Sequence, residues 1–385
     1  MQIDSNIFKA YDIRGIYPSQ INEKIAESIG RAFITFTEAV TVIVGRDMRQ
    51  SSPPLFNAVT HGIITSGTNI SDIGLVSTDQ FYYACATQNL PGIMITASHN
   101  PAEYGGFKML KEMPYVIGNN TGLQQIHQII ETENFHNTNR TATIQTCDLT
   151  DDFVKFALSV IDPDAITPIQ IAVDPRSGMV GPILQKVFNP LPVNLSGFNL
   201  KANGQLPIGQ GLDPKQAQNH ADLQKYVVDK NADVGFAFDG DGDRFFVVDD
   251  RGQFVPSDFI IALIAEYLLQ KHPGSKVIYD IRGSWAIRDT IEINNGTPII
   301  ERVGHSFIKP TMMNQDAIFG GEGSGHYYFR DFFYADSGII PALILTEILS
   351  KKRAKLSTLL LPFEEKYFLS EEVNIQIKNG DADKK

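Results

Sequence analysis

Followed for its alternation of apolar and polar positions, the chain repeats one short pattern three times. "VTVIVGRDMRQSSP" (40–53), "IQIAVDPRSGMVG" (169–181) and "SKVIYDIRGSWAI" (275–287) each begin as a β-rich apolar run. Each then gives an Asp, an Arg two residues later, and small residues that open a helical pattern: Asp47 and Arg49, Asp174 and Arg176, Asp280 and Arg282. Some tens of residues further on, a second apolar run ends in a polar loop: "PGIMITASHNP", "DVGFAFDGDGDR" and "DAIFGGEGSGH". A repeat of roughly a hundred residues is too long for a solenoid and suits tandem copies of one α/β domain. A chance likeness of a common β-Asp-x-Arg pattern is the competing reading. Helical stretches such as "PPLFNAVTHGIITSG" (53–67) between the strands support the α/β class, in which functional loops lie at the carboxyl ends of strands.

The pattern predicts similar α/β domains over 1–149, 150–248 and 249–361. "ETENFHNTNRTATIQTCD" (131–148) is the polar connector after the first. In 362–385 only "EEVNIQIK" (371–378) alternates like a half-buried strand, with no further chain to pair with.

Composition narrows the function without naming it. A chain of 385 residues, 43% hydrophobic and 20% charged, is that of a soluble, multidomain globular protein. A net charge of -11 argues against nucleic acid or an anionic membrane as partner, since both need clustered Lys and Arg. A few local cations still suffice for a small anionic substrate. Cys85 and Cys147, the two cysteines, form no CxxC pair, which fits a reducing compartment. The start "MQIDSNIFKA" lacks a signal-peptide pattern, and "GIIPALILTEIL" from Gly338 is interrupted by Glu347 and too short for a bilayer. The expected location is the cytoplasm; oligomeric state is not legible.

Two loops carry candidate chemistry. "FDGDGDRFF" sets Asp239, Asp241 and Asp243 at alternate positions with glycines between and Arg244 after them. Carboxylates this close repel unless a cation sits among them, and oxygen-only ligands select Mg²⁺ or Ca²⁺. An EF-hand would need Gly in place of Arg244 and a closing Glu; a solvated acidic turn is the plainer alternative. In "TASHNPAEYGGFK" (96–108), Ser98 admits four readings: an ordinary turn, a hydrolase nucleophile, a metal site, or a serine carrying phosphate. The nucleophile elbow G-x-S-x-G is missing, and His99, as the next residue, is expected to point away from Ser98. A phosphoserine would bring close to two negative charges and an oxygen able to complete the aspartate site. Lys108 and Arg244 would then offset the charge and stabilise a transferring phosphoryl group.

"FKAYDIRGIYP", "TASHNPAEYGGFK", "DGDGDR" and "GEGSGH", in that order, resemble the α-D-phosphohexomutase family in its bacterial phosphomannomutase/phosphoglucomutase branch, from Phe8 to about Glu372. The resemblance implies three similar α/β domains with mixed sheets and a fourth, different domain around a central cleft. It implies a phosphoserine at Ser98 and one Mg²⁺ held by Asp239, Asp241, Asp243 and that phosphoserine. The implied reaction interconverts hexose 6-phosphate and hexose 1-phosphate through a bound 1,6-bisphosphate, which also serves as activator. Lys108 and Arg14 match positions that assist catalysis, beside Arg244 as the candidate cation of the aspartate loop, and His305 matches a cleft histidine. Tyr11, Arg282, Glu322, Ser324 and His326 match sugar-contacting or neighbouring positions. Two residues depart from the pattern. Arg282 stands where lysine is usual, and Gly105 where asparagine is usual, which predicts a looser loop. Phosphoglucosamine mutase, phosphatase activity and a non-catalytic sugar-phosphate binder are the alternatives. Residues 362–385 would be only the start of the fourth domain, which bears a phosphate-gripping loop, so depressed turnover is expected of this chain.

Overall fold

The computed structural model describes residues 3–136 and 138–369. The strand expected at 371–378 lies outside them.

The threefold pattern is a threefold topology. In each copy the strand that leads into Asp-x-Arg (Thr41–Arg46, Ile169–Asp174, Lys276–Asp280) lies parallel to two neighbours. One neighbour is the next strand in sequence: Asn69–Leu75, Val193–Gly197 or Thr297–Glu301. The other is the apolar run before a polar loop: Gly92–Ile95, Val234–Phe238 or Phe319–Gly321. After that loop the chain returns antiparallel as Tyr104–Glu112, Phe245–Val248 or Tyr327–Phe329. Each sheet is therefore mixed. The parallel strands end together, so each polar loop stands beside its Asp-x-Arg turn, the usual address of function in open α/β sheets.

The three turns are built alike: the backbone N–H of Arg49, Arg176 and Arg282 donates to the side chain of Asp47, Asp174 and Asp280 at 3.0, 2.9 and 2.8 Å. The second sheet continues past Val248 to Phe254–Val255, which pairs with Phe245–Val248. The last described helix runs from Leu356–Lys366.

Two apolar clusters hold the architecture. One packs helices Glu23–Thr37, Ser52–Thr65 and Gln124–Thr132 onto one face of the first sheet. The other runs from the opposite face of that sheet, through Phe81 and Tyr82, into the second and third domains without interruption. The segment from Gly338 supplies its middle as helix Ile339–Lys352, which is buried from Ile339 to Ser350. Glu347, buried within it, is paired with Lys351 at 2.7 Å and Lys271 at 3.7 Å. Burial on this scale, at roughly 25 cal/mol per Å² of apolar surface, makes the domains one packed body.

Gly105 is a correction. It lies inside strand Tyr104–Glu112, opposite Gly15 of strand Ile13–Ile16, and not in a loose loop. A Cβ there would meet Leu55 Cδ1 at 2.9 Å, so a larger residue requires the Leu55 side chain to shift.

Candidate active site

The three polar loops converge where the domains meet. Strand Gly92–Ile95 is buried on both faces and delivers Ser98 into the interior with a left-handed backbone, φ 52°. That conformation is unfavourable for a non-glycine residue, so something must hold it. Arg49 does. Its Nη2 donates to the carbonyls of Ser98 (2.7 Å) and Asn100 (2.6 Å), and its Nη1 to those of Pro101 (2.7 Å) and Tyr104 (3.2 Å). Its Nε faces Asp47 at 3.2 Å. The Thr96 hydroxyl accepts from the Ser98 N–H at 2.9 Å.

Ser98 Oγ is buried and donates to Asp239 Oδ2 at 3.0 Å, across 141 positions of sequence. The aspartate loop can come this close because residue 240 is glycine; a Cβ there would lie 2.7 Å from the Ser98 carbonyl oxygen. His99 overturns an expectation. The left-handed turn brings its Nδ1 to 3.3 Å from Ser98 Oγ instead of pointing it away. Burial, then the positive charges of Arg244 and Arg14, push its pKa down to about 2, so the ring is neutral.

Asp239, Asp241 and Asp243 each place one carboxylate oxygen within 4.8 Å of the others, all buried. Burial and the two neighbouring charges push Asp239 well above the usual carboxylate range. Burial acts the same way on Asp241, but the Lys108 ammonium at 2.7 Å outweighs it and holds Asp241 low. Lys108 also bonds Asp243, and although burial opposes its charge the two carboxylates push its pKa up. Asp241 Oδ1 and Asp243 Oδ1 are buried without a hydrogen-bond partner. Orphaned carboxylate oxygens are costly unless a ligand takes them, and three converging oxygens fit a hard divalent cation. The residues fit a metal.

Arg244 and His326 join the second and third domains. Arg244 Nε donates to His326 Nε2 at 3.1 Å, which fixes the histidine tautomer: Nδ1 carries the proton and donates to Asp336 Oδ2 at 2.9 Å. Asp336 is in turn paired with the fully buried Lys309 at 2.6 Å. Arg14 is paired with Asp12 at 2.6 Å and donates to Asn100 Oδ1 at 2.7 Å, so it braces the serine loop.

Around the third polar loop the residues are less equal. Glu322 is buried, with Oε1 accepting from the Gly304 N–H at 2.7 Å and Oε2 from the Tyr328 hydroxyl. It therefore positions the segment of His305, whose ring is buried and meets the edge of Tyr11 at 5.0 Å between centroids. Burial holds His305 well below the usual histidine range. Ser324 is half-buried at the tip of its turn, next to Gly323, whose N–H donates to Asp280 at 2.9 Å. Arg282 is paired with Asp280 at 3.2 Å with its side chain 42% exposed, the most open of the three repeated arginines. Sequence reasoning missed Arg49 as the clamp, and also Asp336, Lys309 and Thr78. The last donates its hydroxyl to Asp241 Oδ2 at 2.7 Å.

Family descriptions match almost the whole described chain. Residues 5–137 match domain I of phosphoglucomutase/phosphomannomutase, 150–252 domain II and 256–367 domain III, each described as alpha/beta/alpha. The chain belongs to the phosphoglucomutase/phosphomannomutase family. It is 36% identical over 378 residues to a phosphomannomutase of Salmonella typhimurium, covering 96% of this chain and 83% of the relative. It is 37% identical over 385 residues to a phosphomannomutase of Vibrio cholerae, covering 97% and 83%. A solved family member from Burkholderia thailandensis is similar at a TM-score of 0.86 and 31% identity, over 93% of this chain and 80% of that one. The threefold repeat is thus the family's domain plan and not a chance likeness. Among the described residues no helix is long and apolar enough to cross a membrane.

Proposed function

We propose that this chain interconverts the 6-phosphates and 1-phosphates of mannose or glucose by passing a phosphoryl group through Ser98. The observation that carries this reading is Ser98 Oγ bonded to Asp239 at 3.0 Å, on the edge of a carboxylate cluster with unpartnered oxygens. Asp239, Asp241, Asp243 and a phosphate oxygen on Ser98 would hold Mg²⁺. When bound, the ion supplies positive charge to the non-bridging phosphate oxygens.

In the first half-reaction a sugar hydroxyl oxygen forms its bond to phosphorus as the Ser98 Oγ–P bond breaks, and the hydroxyl proton passes to a neighbouring base. The reverse transfer, to Ser98 from the other phosphate of the bound 1,6-bisphosphate, completes the isomerisation. Arg244 and the Lys108 ammonium lower the charge of the transferring group. His99, neutral, places Nδ1 3.3 Å from Ser98 Oγ and is a polar neighbour of that oxygen. Tyr11, Arg14, His305, Arg282, Glu322, Ser324 and His326 line or brace the sugar side. A hexose 1,6-bisphosphate restores the phosphoserine when it is lost, and so acts as activator. The cytoplasm is the proposed site of action, consistent with Cys85 and Cys147 both being free thiols.

Intact mass spectrometry with site mapping tests the reading. Phosphate on Ser98 should be removed by hexose monophosphate and restored by hexose 1,6-bisphosphate. Undiminished isomerisation by Ser98→Ala overturns it. Mannose, glucose and glucosamine 1-phosphates assayed side by side order the substrates.

A further inference from the structure

The metal loop belongs to the second domain, yet the other two domains hold it. In the first, helix Thr78–Gln88 begins with a box in which the Gln80 side chain accepts from the Ser77 N–H at 3.1 Å. Thr78, the first helical residue, makes two bonds to one aspartate. Its N–H donates to the Asp241 carbonyl at 2.8 Å and its hydroxyl to Asp241 Oδ2 at 2.7 Å. In the third domain Gly338, at the start of helix Ile339–Lys352, donates its N–H to the Gly242 carbonyl at 3.2 Å. The two helix starts are tied to each other. Ser337 Oγ donates to Asp79 Oδ2 at 2.7 Å while accepting from the N–H groups of Ile339 (3.1 Å) and Ile340 (3.2 Å). Thr78, Asp79, Ser337 and Asp241 are all buried.

We propose that Thr78 is a positioning residue for the divalent cation, and that the Asp79–Ser337 link locks it in place from the third domain. Thr78 occupies Asp241 Oδ2, so that Oδ1, buried and without a hydrogen-bond partner, is the oxygen presented to the ion. Lys108 reaches the same Oδ2 at 2.7 Å, but it also serves Asp243 and sits on a long rotatable stem. It cannot by itself stop the carboxylate turning about its Cβ–Cγ bond. A β-branched hydroxyl on a helix start has few rotamers and can. The loop has no slack to adjust in another way: a Cβ on Gly242, at φ +78°, would meet Val180 Cγ2 at 2.4 Å. Cation affinity is therefore assembled from three domains, although every carboxylate comes from one. This rests on the assignment of Asp239, Asp241 and Asp243 as metal ligands.

Titration of the full chain with Mn²⁺, read by electron paramagnetic resonance, tests it with Thr78→Val, Thr78→Ser, Ser337→Ala and Asp241→Asn. Thr78→Val should bind Mn²⁺ about 10- to 100-fold more weakly, the usual cost of losing a residue that orients a ligand. Thr78→Ser should restore most of that affinity, and Ser337→Ala should show a smaller loss in the same direction. The metal concentration for half-activation should rise with Thr78→Val more than kcat at saturating metal falls, a split that loss of fold would not give. Wild-type Mn²⁺ affinity in a Thr78→Val protein with a wild-type melting curve overturns the proposal. If that variant does not fold, wild-type affinity in Ser337→Ala does so. Full Mn²⁺ binding by Asp241→Asn instead defeats the ligand assignment beneath it, so the two failures are told apart.

Discussion

Arg49→Lys keeps the charge at the serine loop and removes the geometry. The arginine's two terminal nitrogens satisfy the carbonyls of Ser98, Asn100, Pro101 and Tyr104, and its Nε faces Asp47. An ammonium has three N–H groups at one point, so at least one of these four carbonyls loses its partner, and the Nε contact to Asp47 is lost with the fork. An unsatisfied buried acceptor costs about 1–3 kcal/mol, which sets the expected loss of stability. That corresponds to a fall of roughly 1–4 °C in melting temperature for a packed body of this length. The left-handed backbone of Ser98 stores strain of about 1–2 kcal/mol, comparable to one lost bond, so the loop relaxes and Ser98 Oγ leaves Asp239. A misplacement of this kind costs about 10²-fold in transfer rate. The assay is scanning calorimetry together with the rate at which hexose 1,6-bisphosphate phosphorylates Ser98. Arg282→Lys is the internal control: the same motif position, but 42% exposed, with an expected cost below about 1 kcal/mol. Equal stability and equal phosphorylation rates for wild type and Arg49→Lys would refute the clamp.

Four further outcomes follow from the same geometry. Gly240→Ala should fold but lose Ser98 phosphorylation, because the new methyl would lie 2.7 Å from the Ser98 carbonyl; a normal rate in quenched-flow labelling would contradict this. Lys108→Met removes the cation that holds Asp241 and Asp243 together, so its melting temperature should fall without metal and recover with Mg²⁺ far more than wild type does. Burial pushes Asp79 up to about 6, so the folded state binds its proton more tightly than the unfolded chain does. Its contribution is complete below about pH 4 and lost as pH rises through about 6, roughly 3 kcal/mol in all. Urea unfolding should show wild type losing that much relative to Asp79→Asn across this window, and a pH-independent difference would rule it out. Glu322→Gln replaces an acceptor with a donor facing Gly304 or Tyr328, and should raise the KM for hexose phosphate by loosening the His305 segment; an unchanged KM would count against that role.

What the sequence determined is local. Alternating apolar runs, Asp-x-Arg turns and glycine-spaced aspartates are each written within a dozen residues. Backbone sterics and periodicity are enough to make them strands, Asx-type turns and a tight carboxylate loop. The α/β class, the threefold repeat and the Ser98 and aspartate loops were legible for that reason. The tertiary structure decided which residues meet: Ser98 with Asp239 across 141 positions, Thr78 with Asp241 across 163, Ser337 with Asp79 across 258. Such contacts have no period or spacing in the chain, because they are set by how finished domains pack. The box at Ser77–Gln80 announces a helix start but not what the helix points at. His99 shows the limit most sharply: the assumption of ordinary backbone turned it away from its neighbour, and one left-handed residue, held by a distant arginine, brought it back.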